Sequence, residues 1–160
     1  MWKLFVIDDE KPYLSALYDI LAGADYKVFA YENAENILEE IEQDTPDCII
    51  IDATLKPVSG FDLCRKLKDN NVLADIPVIF LIPKDEDYDL YDAITSRGDD
   101  CIQKPIAKTE LIKKVEKQIY LAEERIKNKN IKEKFNQLIE VVGRSLVIIK
   151  KDLTIYGTNK

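Results

Sequence analysis

Carboxylates and one lysine recur at the ends of short apolar runs. "KLFVI" leads into Asp8, Asp9 and Glu10, "CIII" leads into Asp52, and "DCIQ" leads into Lys104-Pro105. Ligands of open parallel sheets bind beyond the carboxyl ends of the strands. If the chain reverses direction at the first run, the first and third runs become neighbours, and their carboxylates crowd one pocket with the lysine facing them. Like charges held so close are costly unless something neutralises them. A hard divalent cation does so, and Mg²⁺ is bound by one or two carboxylates while keeping waters. A carboxylate beside such a cation can act as nucleophile toward a phosphoryl group and form an aspartyl phosphate. Mg²⁺ and Lys104 would then share the charge on the transferred oxygens. Asp52 at a strand end exposes the nucleophile, and the loop around Pro57 and Gly60 keeps the approach open.

Five strands must position these residues: Lys3–Ile7, Lys27–Tyr31, Cys48–Ile51, Pro77–Ile82 and Asp100–Gln103. The third and fourth lack polar alternation, as strands covered on both faces do. Amphipathic stretches lie between them. Pro12 opens the first helix, with Leu14, Leu17 and Leu21 along one side. Asn33 is placed to cap a second carrying Ile37, Leu38 and Ile41. Leu63 and Leu67 mark a third, and Leu90 and Ile94 a fourth that Gly98 ends. Five βα units in sequence imply an α/β fold, doubly wound around a five-stranded parallel sheet.

Composition removes several classes of function. The 160 residues include no histidine, which excludes histidine-based acid–base chemistry and most catalytic zinc sites. The net charge is −7, so binding to a phosphate backbone is not expected. Cys48, Cys64 and Cys101 are scattered without a C-x-x-C, as in a reducing compartment. "MWKLFVIDDE" turns acidic too soon for a signal peptide or a membrane span. A cytoplasmic protein with no nucleic-acid or membrane partner is expected. There is no Gly-rich phosphate loop.

Charge also divides the chain. Residues 1–126 carry 15 basic and 27 acidic side chains, and residues 127–160 carry 8 and 3. The C-terminal region therefore opens a compositionally different segment. Ile112, Val115, Ile119, Ala122 and Ile126 follow coiled-coil spacing; "KNKN" at 127–130 interrupts the phase; Ile131, Phe135, Leu138 and Val142 resume it in another register. A homodimer through this helix is one expectation, and a surface helix with one greasy face is the other. "SLVIIKKDLTIYGTNK" reads as two short strands around Lys150–Asp152, the start of a further domain that the chain does not complete. The expected organisation is a domain at 1–122, a helical linker at 123–142 and an incomplete unit at 143–160.

"IDDE", "IIIDATLKPVSG", "IPVIFLI" and "RGDDCIQKPI" together resemble the receiver domain of two-component response regulators, over residues 1–122. The resemblance implies a flavodoxin-like sheet of order 2-1-3-4-5 and a non-enzymatic phosphoacceptor that takes its phosphoryl group from a histidine kinase or phosphotransfer protein. It implies Asp52 as phosphoacceptor, Lys104 as phosphoryl partner, and Asp8, Asp9, Asp52 and the Thr54 backbone carbonyl as Mg²⁺ ligands, with Asp9 the more direct of the two leading acids. It also implies a cis Lys104–Pro105 bond. More loosely, "FNQLIEVVGRSLVIIKKDLTIYGTN" resembles the opening of a PAS sensor domain.

Three positions depart from the receiver pattern. The strand-four hydroxyl residue is Ile82, the strand-five aromatic is Cys101, and the loop proline comes one residue late, leaving Lys56 in its place. Isoleucine has no donor, and cysteine lacks the volume of a ring. The expectation is a phosphoacceptor with an atypical switch. The alternative is a phosphorylation-independent pseudo-receiver that acts as a dimerisation or partner-binding module. An aspartate-nucleophile phosphatase would need an acid two residues after the nucleophile, where this chain has Thr54.

Overall fold

The computed structural model describes residues 1–84, 92 and 95–155, with side chains described as far as residue 142. Five strands, β1 (Lys3–Ile7), β2 (Lys27–Tyr31), β3 (Cys48–Asp52), β4 (Val78–Ile82) and β5 (Asp100–Gln103), form one parallel sheet. Their order is β2-β1-β3-β4-β5. Four helices are described: α1 (Lys11–Ala22), α2 (Ile37–Gln43), α3 (Gly60–Asp69) and α4 (Lys108–Ile155). The fourth helix expected around Leu90 and Ile94 lies outside the described residues.

Alternation along the strands builds two cores. Phe5, Ile7, Ile49, Ile51 and Phe80 join residues of α2 and α3. Leu4, Val6, Ile50, Ile79 and Ile102 join Leu14, Leu17 and Leu21 of α1 with Leu111, Val115 and Ile119 of α4. β3 and β4 are buried at every position, as strands covered on both faces must be. The sheet order follows from β1 pairing with both β2 and β3, which sets Ile7 opposite Ile51.

Helix entries differ from expectation in one place. Pro12 opens α1 as expected. Asn33 does not cap α2. Its side chain accepts the Glu35 N–H in a local turn, and Asn36, in the left-handed region at φ 56°, leads into Ile37. Short polar side chains offer several such local bonds, so sequence alone selects the wrong asparagine. α3 opens on Ser59, whose hydroxyl accepts from the Asp62 N–H.

The chain divides into two units, 1–122 and 123–160. The middle of the first seam of α4 is core, while Ile112 is half-buried and Ile126 is exposed. Val115, Ile119 and Ala122 are buried within the first unit, because the sheet face carrying Leu4, Val6 and Ile50 needs a covering helix. Ile131, Phe135, Leu138 and Val142, by contrast, are all more than half exposed. The hairpin expected around Lys150–Asp152 is not formed, since α4 continues to Ile155. No proline interrupts the helix between Pro105 and Ile155. Among the described residues no helix is long and apolar enough to cross a membrane.

Candidate functional site at the strand ends

Parallel pairing brings three chain segments to one end of the sheet. Asp8 follows Ile7, whose partner Ile51 precedes Asp52, so the two carboxylates face each other across adjacent strands. Asp52 is paired with Leu81 of β4. The Lys104 N–H donates to the Ile82 carbonyl at 2.8 Å, which carries the β4–β5 ladder one residue further and sets the lysine at the same rim. The Lys104–Pro105 bond is cis, as the resemblance implies, and so is Lys56–Pro57.

Asp8 and Asp52 are 0% and 1% exposed. Two ionisable groups held so deep need partners. Lys104 Nζ supplies one, donating to Asp8 Oδ2 at 3.0 Å and lying 3.3 Å from Glu10 Oε1 and 3.3 Å from Asp52 Oδ1. It also sits over the Tyr13 ring, 4.4 Å from the centroid. Asp8 Oδ1 accepts the Glu10 N–H at 2.9 Å. Thr54 Oγ1 donates to Asp52 Oδ2 at 2.9 Å. Apart from its 3.3 Å ion pair with Lys104, Asp52 Oδ1 has no hydrogen-bond partner.

One lysine does not balance this cluster. Burial pushes the Asp8 carboxyl above its ordinary range, although the Glu10 N–H and Lys104 pull it down. Burial acts to lower the Lys104 ammonium, but the hydrogen bond to Asp8 and the charges of Asp52 and Asp8 outweigh it and raise it. Carboxylate oxygens of Asp8, Glu10 and Asp52 lie within 4.8 Å of one another. An oxygen donor set around a buried acceptor without a hydrogen bond fits a hard cation.

Of the residues singled out in sequence, Asp8, Asp52, Thr54 and Lys104 come together. Asp9 does not join the converging carboxylates; it is exposed, and Glu10 takes the third place. β1 ends at Ile7, and the chain turns there with the Glu10 N–H donating to Asp8 Oδ1. Ile82 is 3% exposed and packs with Phe80 and Phe61, offering no donor. Cys101 is exposed rather than packed, and it is a free thiol. Lys56 is exposed.

Gly60 has a role the sequence reading missed. A Cβ there would collide with the Asp52 carbonyl oxygen and come within 2.9 Å of Ile51 Cγ2. The glycine lets the start of α3 close against the end of β3, which fixes the backbone that carries Asp52. Its N–H donates to the Ala53 carbonyl at 3.1 Å. The spacing of "SG" behind Asp52 was the available signal, as a helix cap followed by a close approach.

Taken together, the sheet order, the helices on both faces and the acidic rim define a flavodoxin-like receiver fold. A profile of the response regulator receiver domain matches residues 4–116, and the chain belongs to that family. It is 32% identical over 116 residues to the sensory transduction protein BceR of Bacillus subtilis (strain 168), covering 72% of this chain and 49% of that protein. It is 33% identical over 117 residues to the regulatory protein VanR of Enterococcus faecium, covering 73% and 49%. The chain thus spans about half the length of these curated relatives. Among solved structures, the signal receiver domain of a signal transduction histidine kinase from Syntrophus aciditrophicus superposes with a TM-score of 0.70 at 26% identity, covering 75% of this chain and 91% of that one. The receiver domain of the sensor histidine kinase PA1611 from Pseudomonas aeruginosa PAO1, which has a magnesium ion coordinated in its active-site cleft, shares the fold with a TM-score of 0.69 at 18% identity, covering 74% and 97%.

Proposed function

We propose that this chain accepts a phosphoryl group on Asp52 from a histidine kinase or phosphotransfer protein and relays the signal to an output region. The observation that carries this reading is Asp52 itself, 1% exposed, with Oδ1 free of hydrogen bonds and 3.3 Å from Lys104 Nζ. A carboxylate placed for structure alone would have both oxygens satisfied. Oδ1 donates an electron pair that forms the new bond to phosphorus, the bond from phosphorus to its carrier breaks, and the carrier leaves with the electrons of that broken bond. Lys104 is placed to pair with the transferred oxygens. Asp8, Asp9, Asp52 and the Thr54 carbonyl are the proposed Mg²⁺ ligands, and Glu10, inside the converging group, joins them as a candidate. Bound Mg²⁺ would supply neutralising charge to the phosphoryl oxygens.

The readout in this proposal is atypical, because Ile82 has no hydroxyl and Cys101 has no ring. The pseudo-receiver alternative is less well supported, since the contacts among Asp8, Asp52 and Lys104 are all kept. Residues 123–142 serve as a helical linker in the same reading, and the exposed Ile131, Phe135, Leu138 and Val142 offer a homodimer seam. The output region begins near residue 143.

Intact mass after incubation with acetyl phosphate tests the reading, with and without Mg²⁺ and beside Asp52→Asn. The expected result is one phosphoryl gain that needs both Mg²⁺ and Asp52. Equal gain by Asp52→Asn would overturn it.

A further inference from the structure

Three acids draw on the Lys104 ammonium. It donates to Asp8 Oδ2 at 3.0 Å and lies 3.3 Å from both Glu10 Oε1 and Asp52 Oδ1. The Glu10 side chain is 66% exposed, so it can swing toward solvent and draw the ammonium after it. A lysine ammonium sits on a flexible four-carbon stem and does not hold one place by itself. Tyr13 of α1 gives it a fixed partner, for Nζ lies over the ring, 4.4 Å from the centroid. The ring is itself held from two sides. The Tyr13 N–H donates to the Glu10 carbonyl at 2.9 Å in the first turn of α1, and the Tyr13 hydroxyl accepts the Ile106 N–H at 3.3 Å. Proline has no N–H, so Ile106 carries the first backbone donor after Lys104. Its bond to Tyr13 ties the loop behind Lys104 to α1.

Resting on the phosphoacceptor reading above, we infer that Tyr13 is a positioning residue whose ring holds the Lys104 ammonium in place for the oxygens of an incoming phosphoryl group. A carboxylate holds an ammonium by neutralising it. An aromatic face attracts the ammonium through the ring quadrupole and leaves its full charge. The ring thus fixes where Lys104 stands without cancelling the charge that the phosphoryl oxygens need. A cation already in place requires no reorganisation at the moment of transfer. Without the ring the stem is free, and the ammonium must be gathered from its other positions before each transfer. The ring face carries this role, and the hydroxyl supports it by holding the loop at Ile106. Tyr13 therefore acts through Lys104 and not on the phosphoryl group itself.

The test is a double-mutant cycle. The rate of mass gain from acetyl phosphate and Mg²⁺ is measured for wild type, Tyr13→Phe and Tyr13→Leu, each also in a Lys104→Gln background. Tyr13→Leu should load about tenfold more slowly than wild type, a barrier increase of about 1.4 kcal/mol. Tyr13→Phe, which keeps the ring, should stay within about threefold. In the Lys104→Gln background the effect of Tyr13→Leu should shrink to less than about twofold, because the ring then has no ammonium to position. A tenfold loss that persists in that background would overturn the inference, as would a wild-type rate in Tyr13→Leu or a Tyr13→Phe rate as low as that of Tyr13→Leu. A second readout needs no phosphoryl group. The ε-methylene protons of Lys104, assigned by their loss in Lys104→Gln, should be shifted upfield by the ring current in wild type and Tyr13→Phe and not in Tyr13→Leu. Unshifted protons in wild type would overturn the inference. A wild type with shifted protons that takes up no phosphoryl group would instead overturn the phosphoacceptor reading, and the role of Tyr13 in transfer with it.

Discussion

At the carboxyl ends of the strands, Lys104 faces Asp8, Asp52 and Glu10, whereas at the opposite end of the sheet Asp99 and Asp100 each have a lysine. There Lys68 and Asp99, with side chains 7% and 9% exposed, pair at 2.8 Å. Lys68 also donates to the carbonyls of Ala74 and Ile76, and Asp99 Oδ2 accepts the Val78 N–H. Asp100, next in the chain, accepts from Lys114 at 2.7 Å, from Gln118 at 3.0 Å and from the Cys101 N–H. The two ends use the same residue types, and the acids respond in opposite directions. Burial drives the Asp8 carboxyl up and its partners do not compensate. At Asp100 burial acts in the same sense, but the bonds from Lys114 and Gln118 outweigh it and hold the carboxyl below its ordinary range. A carboxylate kept for stability is satisfied. One kept in deficit is waiting for charge, which is how sites that bind cations and phosphate differ from structural pairs.

The largest expected effect lies at the satisfied end. Lys68→Met should cost about 3 kcal/mol, because it removes the ammonium from a nearly buried ion pair with Asp99 and its bonds to two carbonyls. The urea midpoint should fall accordingly, and a loss under 1 kcal/mol would show that Lys68 is not what holds this edge. A smaller effect of opposite sign belongs to the deficient end. Asp8→Asn should raise the thermal midpoint in EDTA by about 3 °C, since it removes a buried charge that its partners do not repay. No rise would mean that Lys104 already balances the cluster.

The smallest effect separates the two ends by pH. A carboxyl raised in the folded state costs stability when ionised, and that cost is relieved as pH falls through its folded value, above the ordinary 3.8. A carboxyl lowered in the folded state contributes stability above 3.8 and loses it only as pH falls through its lower folded value. The advantage of Asp8→Asn over wild type should therefore fade on acidification before pH 3.8 is reached. The deficit of Asp100→Asn should persist to below it. Thermal midpoints between pH 7 and 3 check both signs, and parallel curves would remove the distinction.

Much of this arrangement was legible in the sequence because its signals are local. Unbroken apolar runs such as "CIII" and "VIFLI" fixed the buried strands within a residue, and the acids that end them marked the rim. What was missed depends on distance. The Lys68–Asp99 pair joins residues 31 apart, and no local pattern announces it. The stripe Val115–Ile119–Ala122 looks the same whether it meets a second chain or its own sheet, and only the tertiary fold assigns it to the core. The strands expected around Lys150–Asp152 fall instead within α4, which runs to Ile155. Glu10 converges with Asp8 and Asp52, a grouping that the order of three acids does not announce. The Thr54 hydroxyl was visible as a residue type, but the resemblance assigned it only through its carbonyl.

The central claim is that the buried acidic cluster of Asp8, Glu10 and Asp52, faced by Lys104, exists to receive a cation. The most direct test compares the thermal midpoints of wild type and Asp52→Asn in EDTA and in millimolar Mg²⁺. The account predicts that Mg²⁺ raises the wild-type midpoint by several degrees and leaves Asp52→Asn nearly unmoved, because a cation that binds only the folded state stabilises it by mass action. Equal shifts in both proteins, or none in wild type, would contradict it.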